Sequence, residues 1–194
     1  MKLFLVRHGE TDWNKQKRFQ GHEDIELNSY GIIQAEQCGQ VFQKISIDRI
    51  ISSPLKRAKE TADIIASCVG IENVIIEDNL IERDYGRLSG LIYDEREKFY
   101  AFGQNDEMES WDDLSQRVIK ALNYYCSDTD YENIILVSHG GVINAILAVL
   151  SEHSIGTGKI TLKNACINIL KYTNKSLKIE LYNLTSEEFA ETLR

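Results

Sequence analysis

Short runs of purely apolar residues alternate along this chain with stretches of helical period, and two of the runs end in a histidine followed by glycine. Residues 3–6 read Leu-Phe-Leu-Val and residues 134–137 read Ile-Ile-Leu-Val. Four apolar residues without polar alternation describe a strand buried on both faces, as in a parallel sheet under helices. After the first run, Asn28 can cap a helix in which Ile32, Ala35, Cys38 or Gly39, Phe42 and Ile45 recur at helical spacing. Residues 48–52 read as a second strand. Ser53-Pro54 then predicts a hydroxyl cap with proline at the first helical position, opening a helix over 55–69. Residues 74–76 form a third short strand, and residues 79–90, with two glycines, an ordered loop. Ser110 and Asp113 cap a helix carrying Val118, Leu122 and Tyr125, and residues 142–150 form a buried helix. Thr173-Asn174-Lys175-Ser176 separates two strands as a hairpin, and Thr185 with Glu188 caps a short last helix. The pattern predicts an α/β fold in three layers: a central, mostly parallel sheet with helices on both faces.

Composition narrows what such a fold could do. A chain of 194 residues fits one domain over 1–194, large enough to bury roughly 70% of the surface that its unfolded form exposes. Its 30 acidic against 22 basic residues give a net charge of −8, which argues against a non-specific nucleic-acid binder. Any anion site must therefore be a local basic pocket. No apolar run approaches the ~20 residues of a membrane span, and the apolar start is cut short by Arg7-His8, too early for a signal segment. The four cysteines form no C-x-x-C pair and read as buried free thiols in a reducing compartment. The expectation is a soluble cytoplasmic protein.

In parallel sheets, ligands bind beyond the carboxyl ends of the strands. That rule selects Arg7-His8-Gly9, Ser52-Ser53 and Ser138-His139-Gly140. A neutral imidazole is a competent nucleophile toward phosphorus near neutral pH, and arginine chelates phosphate oxygens through two nitrogens. Arg57, one turn into its helix, adds a second guanidinium, and Glu82 supplies a carboxylate in the loop over 79–90. Each signal is weak alone; their order along the chain makes them specific.

Arg7-His8-Gly9-Glu10-Thr11 with Trp13-Asn14 resembles the signature of the histidine phosphatase superfamily, the phosphoglycerate mutase-like proteins. Four further blocks resemble that family in the same order. They are Ser53-Pro54-Leu55-Lys56-Arg57-Ala58 with Glu60-Thr61, Leu80-Ile81-Glu82-Arg83-Asp84-Tyr85-Gly86, Glu109-Ser110 with Asp113 and Arg117-Val118, and Val137-Ser138-His139-Gly140-Gly141. The resemblance implies that His8 becomes phosphohistidine and that Arg7, Arg57 and His139 hold the phosphoryl oxygens, with Asn14 as a further donor. It implies that Glu82 protonates the leaving oxygen and later activates water, and that Gln20, Gly21, Tyr85 and Gly140 contact substrate. It implies no metal and no cofactor, and a small phosphorylated metabolite as ligand. Oligomeric state stays open, with a homodimer as one option.

Departures from the mutase version favour hydrolysis. Asp84 replaces a histidine, Tyr93 stands where a mutase places a substrate-binding lysine, and Gly141 replaces an asparagine. Residues 91–108 offer only Arg96 and Lys98 amid carboxylates that include Asp106. The reading is thus a metal-independent phosphomonoesterase. It favours a neutral or apolar leaving group contacted by Tyr93, Phe99, Tyr100 or Phe102. The alternatives are a 2,3-bisphosphoglycerate-dependent phosphoglycerate mutase and, third, a non-catalytic phosphate-binding module.

Overall fold

The computed structural model describes residues 1–101, 107–127 and 130–194; the side chains of Tyr93 and Tyr100 lie outside that description. Phe102 and Asp106, singled out from the sequence, also fall outside the described residues. The chain runs through β1 (Lys2–Arg7), α1 (Asp12–Lys15), α2 (Ser29–Phe42), β2 (Arg49–Ser52), α3 (Lys56–Val69) and β3 (Val74–Ile76). Two 3-10 turns, Asp78–Leu80 and Gly86–Leu88, punctuate the loop that follows. Next come α4 (Tyr93–Ala101), α5 (Trp111–Cys126), β4 (Asn133–Ser138) and α6 (Gly140–Leu150). The antiparallel pair β5 (Ile167–Thr173) and β6 (Ser176–Leu184) and the short α7 (Ser186–Thr192) complete it.

All six strands join one sheet in the order β3-β2-β4-β1-β5-β6. The first four are mutually parallel, whereas β5 runs antiparallel to β1 and pairs with β6 across the expected hairpin. Alternation along β1 divides the core. Leu3 and Leu5 pack with Leu114, Val118 and Leu122 of α5 and Val142, Ile143 and Ile146 of α6. Phe4 and Val6 face Cys38 and Phe42 of α2, Ala58, Ala62 and Ile65 of α3, and Phe189 of α7. Both faces are thus covered, which is why β1 and β4 read as unbroken apolar runs. Short α7 is held by Phe189, whose ring meets Phe4 at 5.7 Å and Phe42 at 5.3 Å between centroids. Truncating a buried phenylalanine of this kind costs about 3–5 kcal/mol.

One local expectation is corrected, and two further helices are present. Ser53 does not cap α3; the helix starts at Lys56 after Leu55, with no side-chain cap from that residue. The Lys56 amide is met instead by the Asp24 carboxylate at 2.7 Å, while the Ser53 hydroxyl turns to His139. Two helices went unforeseen. α1 is a single turn held by a capping box between Thr11 and Asn14, and α4 is a largely exposed, polar helix without an apolar stripe. Among the described residues no helix is long and apolar enough to cross a membrane.

Candidate active site

Strand register gathers the site. Arg7 lies opposite Ser138 and Ser52 opposite Val137, so His8, Ser53 and His139 each leave the sheet at the same edge. The two imidazole centroids stand 5.2 Å apart. Close approach behind His8 depends on a glycine pair. A Cβ on Gly9 would overlap the carbonyl of Gly31 in the first turn of α2, and one on Gly31 would overlap the backbone of Glu10. The Gly9 amide donates to Thr61 Oγ1 at 3.0 Å, and that hydroxyl donates to the Arg57 carbonyl at 2.7 Å. The nucleophile loop is thereby tied to the helix carrying Arg57.

His8 is 2% exposed, with Nδ1 2.7 Å from the Gly9 carbonyl. A carbonyl can only accept, so Nδ1 carries the proton and Nε2 keeps its lone pair. Burial first, then Arg57 and Arg7, hold the His8 pKa well below its ordinary value. The ring is therefore neutral at physiological pH. His139 is fully buried and likewise pushed down by burial, Arg57, His8 and Arg7. Its Nε2 lies 2.7 Å from Ser53 Oγ, which also lies 3.4 Å from the Leu55 amide. When the Ser53 hydroxyl donates to Nε2, the His139 proton is on Nδ1.

A cavity of about 500 Å³ opens at this edge, and Arg7, His8, Asn14, Gln20, Arg57, Glu82, Tyr85 and Gly140 are on its wall. Two of the expected residues are buried rather than on the wall. His139 and Gly21 are not part of the wall; Gly21 acts through its carbonyl, which accepts from Arg57 Nη2 at 2.8 Å. Arg57 Nη1 donates to the Glu23 carbonyl at 2.7 Å, and Arg7 Nη1 to the Leu162 carbonyl at 2.6 Å. Burial lowers the Arg57 pKa to about 10, which still leaves it charged. Arg7 Nε, Arg57 Nε, His139 Nδ1, Gln20 Oε1 and Asn144 Oδ1 are buried polar atoms without a protein partner, and they cluster here. Buried polar groups left without partners cost free energy, so such a cluster marks a place where a ligand completes the bonding. Asn14 is oriented for the same purpose. Its Oδ1 is engaged by Thr11 and by Asn164 Nδ2, both at 3.1 Å, which leaves its amide nitrogen to donate.

Glu82 is held as firmly. Its carboxylate accepts the Gly141 amide at 3.2 Å, at the start of α6, and the Arg83 amide at 2.9 Å. Its carbonyl lies 2.8 Å from His22 Nε2 and accepts from Arg117 Nη2 at 3.1 Å. Arg117 also holds the carbonyls of Asn79 and Ile81 and pairs with Glu109 at 2.6 Å, which accounts for the Glu109 and Arg117 block. His22 shows no partner in the sequence; the fold supplies one. Tyr85 stacks on Phe19 with centroids 4.3 Å apart, and burial followed by the Glu82 charge raises its phenol pKa.

The outer wall departs from expectation. Among the described residues of 91–108, Arg96, Glu97 and Met108 are on the wall and Phe99 is not. Arg18, Phe19, Arg83 and Trp111 join from elsewhere, with residues 157–162 opposite. The cationic inventory of the leaving-group side is thus richer than residues 91–108 alone suggest. Among the described residues no group of three or more His, Cys, Asp or Glu side chains is placed to hold a metal ion.

Comparison with known proteins identifies the family. The model of the histidine phosphatase superfamily (branch 1) matches residues 3–185. An uncharacterized phosphatase, PhoE, of Bacillus subtilis is 36% identical over 182 residues, covering 94% of each chain. A metal-independent phosphoserine phosphatase of Arabidopsis thaliana is 36% identical over 198 residues, covering 94% of this chain and 81% of its own. Among solved structures, a phosphoserine phosphatase of Entamoeba histolytica in complex with 3-phosphoglyceric acid superposes with a TM-score of 0.83. It is 31% identical and covers 95% of this chain and 97% of its own. The chain carrying this histidine pair, arginine pair and carboxylate belongs to the histidine phosphatase superfamily, branch 1.

Proposed function

We propose that this protein is a metal-independent phosphomonoesterase acting on a small phosphorylated metabolite through a phosphohistidine on His8. The observation that carries the reading is the state of His8. A neutral imidazole is fixed through Nδ1 on the Gly9 carbonyl, and it faces a cavity whose buried guanidinium nitrogens lack protein partners. In this reading Nε2 attacks phosphorus as the ester P–O bond breaks. Arg7, Arg57, His139 Nδ1 and the Asn14 amide take up the charge on the phosphoryl oxygens, and Gln20, Tyr85 and Gly140 bound the leaving group. Positioning and positive charge are most of what phosphoryl transfer asks of a protein. Glu82, in its acid form, gives the leaving oxygen its proton. As carboxylate, it then takes a proton from the water that attacks phosphohistidine, releasing phosphate and restoring His8.

A single domain spanning 1–194, working in the cytoplasm, fits the same reading. Its four thiols are free, and burial pushes those of Cys38, Cys126 and Cys166 above their ordinary pKa, as suits a reducing compartment. Hydrolysis of p-nitrophenyl phosphate in the presence of EDTA tests the assignment. Turnover is expected to continue with chelator and to be lost in His8→Ala. Turnover that stops with EDTA and returns with a divalent ion would overturn it, as would an unimpaired His8→Ala enzyme.

A further inference from the structure

Residues 20–24 read Gln-Gly-His-Glu-Asp, and most of them serve Arg57 and the helix that carries it. The Gly21 and Glu23 carbonyls accept from Arg57 Nη2 and Nη1 at 2.8 and 2.7 Å. The Asp24 carboxylate accepts the Lys56 amide at 2.7 Å, at the start of α3. The Glu23 amide donates to the Gln20 carbonyl at 2.9 Å, which closes the segment into a tight turn. His22, inside that turn, serves a different loop. Its Nε2 lies 2.8 Å from the Glu82 carbonyl, which can only accept, so Nε2 carries a proton. Gly21 lets the turn lie close to the same loop. It adopts φ +50°, and a Cβ there would come within 2.8 Å of Ser89 Oγ and 3.3 Å of the Tyr85 amide.

Arg57 and Glu82 share no hydrogen bond among the described residues. Arg57 commits its terminal nitrogens to the turn, and the Glu82 carboxylate is taken up by two backbone amides. The turn therefore bridges the guanidinium that faces the phosphoryl group and the carboxyl that protonates the oxygen leaving it. Proton donation during bond cleavage demands close registry of the two, and a misplacement of about 1 Å can cost about a hundredfold in rate. We infer that His22 is a positioning residue, whose Nε2–H holds the Glu82 loop in register with the phosphoryl group at Arg57. This deepens the phosphatase reading and rests on it. His22 is exposed and is not on the cavity wall, so it acts through Glu82 and not on the ligand. Arg117 Nη2 donates to the same carbonyl at 3.1 Å, so loss of His22 loosens the loop without releasing it.

The test compares kcat/KM, which reports the steps up to phosphohistidine, for glycerol 3-phosphate and p-nitrophenyl phosphate. The alkyl ester needs a proton on its leaving oxygen, and the aryl ester hardly does. His22→Ala should slow the alkyl ester about tenfold and the aryl ester less than about twofold. His22→Gln offers an amide donor of similar reach and should bring the alkyl ester back to within about threefold of wild type. His22 is exposed, so both variants should keep the wild-type thermal midpoint. In a Glu82→Gln background, His22→Ala should cost nothing further on either ester, because its effect passes through Glu82. The role is overturned by equal slowing of both esters or no slowing, by a Gln variant no better than Ala, or by a full additional loss in the Glu82→Gln background. Glu82→Gln alone separates this role from the reading beneath it. If that variant slows both esters alike, or wild type hydrolyses neither, the phosphatase reading fails first and the His22 role falls with it.

Discussion

His8 and His139 pay for their positions in stability, and the sign of that cost is fixed by their surroundings. Burial and two guanidinium groups hold both pKa values well below the 6.5 of an unfolded histidine. As pH falls below 6.5, the unfolded chain binds protons that the folded chain refuses, so folding loses stability until the folded pKa is reached. Each histidine contributes a slope of about 1.4 kcal/mol per pH unit in that window and nothing above it. Urea unfolding of wild type and His8→Asn between pH 7 and pH 5 should therefore give a shallower pH dependence in the variant, by about that slope. Parallel curves would mean that His8 is not held neutral. The candidate site residues at strand ends were legible, since a polar side chain after an apolar run is exposed by its context. Arg18, Arg83 and His22 were not. Their placement depends on partners that sit far off in the chain: the Glu82 carbonyl for His22, the Gly90 carbonyl for Arg18 and the Glu109 carbonyl for Arg83.

At the level of elements, hydrophobic period carried most of the fold. β1, β4, α2 and α5 were readable because each buries a face or a stripe against the sheet. α4 was not, because an exposed helix has no apolar period to betray it. The misplaced start of α3 has a functional cause: Ser53, a good capping residue, spends its hydroxyl on His139, and Asp24 takes over the helix amide. α6 shows the converse, a helix start that serves the site. Its second residue, Gly141, donates to Glu82, and a Cβ there would come within 2.5 Å of Glu82 Oε1. Gly141→Ala should therefore push the carboxylate aside while costing the helix nothing in propensity. Turnover of alkyl phosphates, whose leaving oxygen needs a proton, should drop at least ~tenfold more than that of p-nitrophenyl phosphate. Equal losses on both, with an unchanged thermal midpoint, would show that Glu82 is not the proton donor.

The whole molecule is organised to bring three distant loops to one sheet edge, and strand order does this. With β1 and β2 on either side of β4, the segments after residues 7, 52 and 138 are neighbours in space. Sequence order already implied the family, yet the sheet register is what sets two imidazoles 5.2 Å apart beside two guanidinium groups. The central claim is that this arrangement takes a phosphoryl group onto His8 and gives it to water. Rapid-quench labelling with a radiolabelled phosphomonoester, followed by an unlabelled chase, measures this directly. The account predicts an acid-labile label on His8 that forms and decays at rates fast enough for turnover, and that is recovered as inorganic phosphate even when 3-phosphoglycerate is added. No label on His8 during steady turnover would contradict it, as would efficient passage of the label to 3-phosphoglycerate to form a bisphosphate.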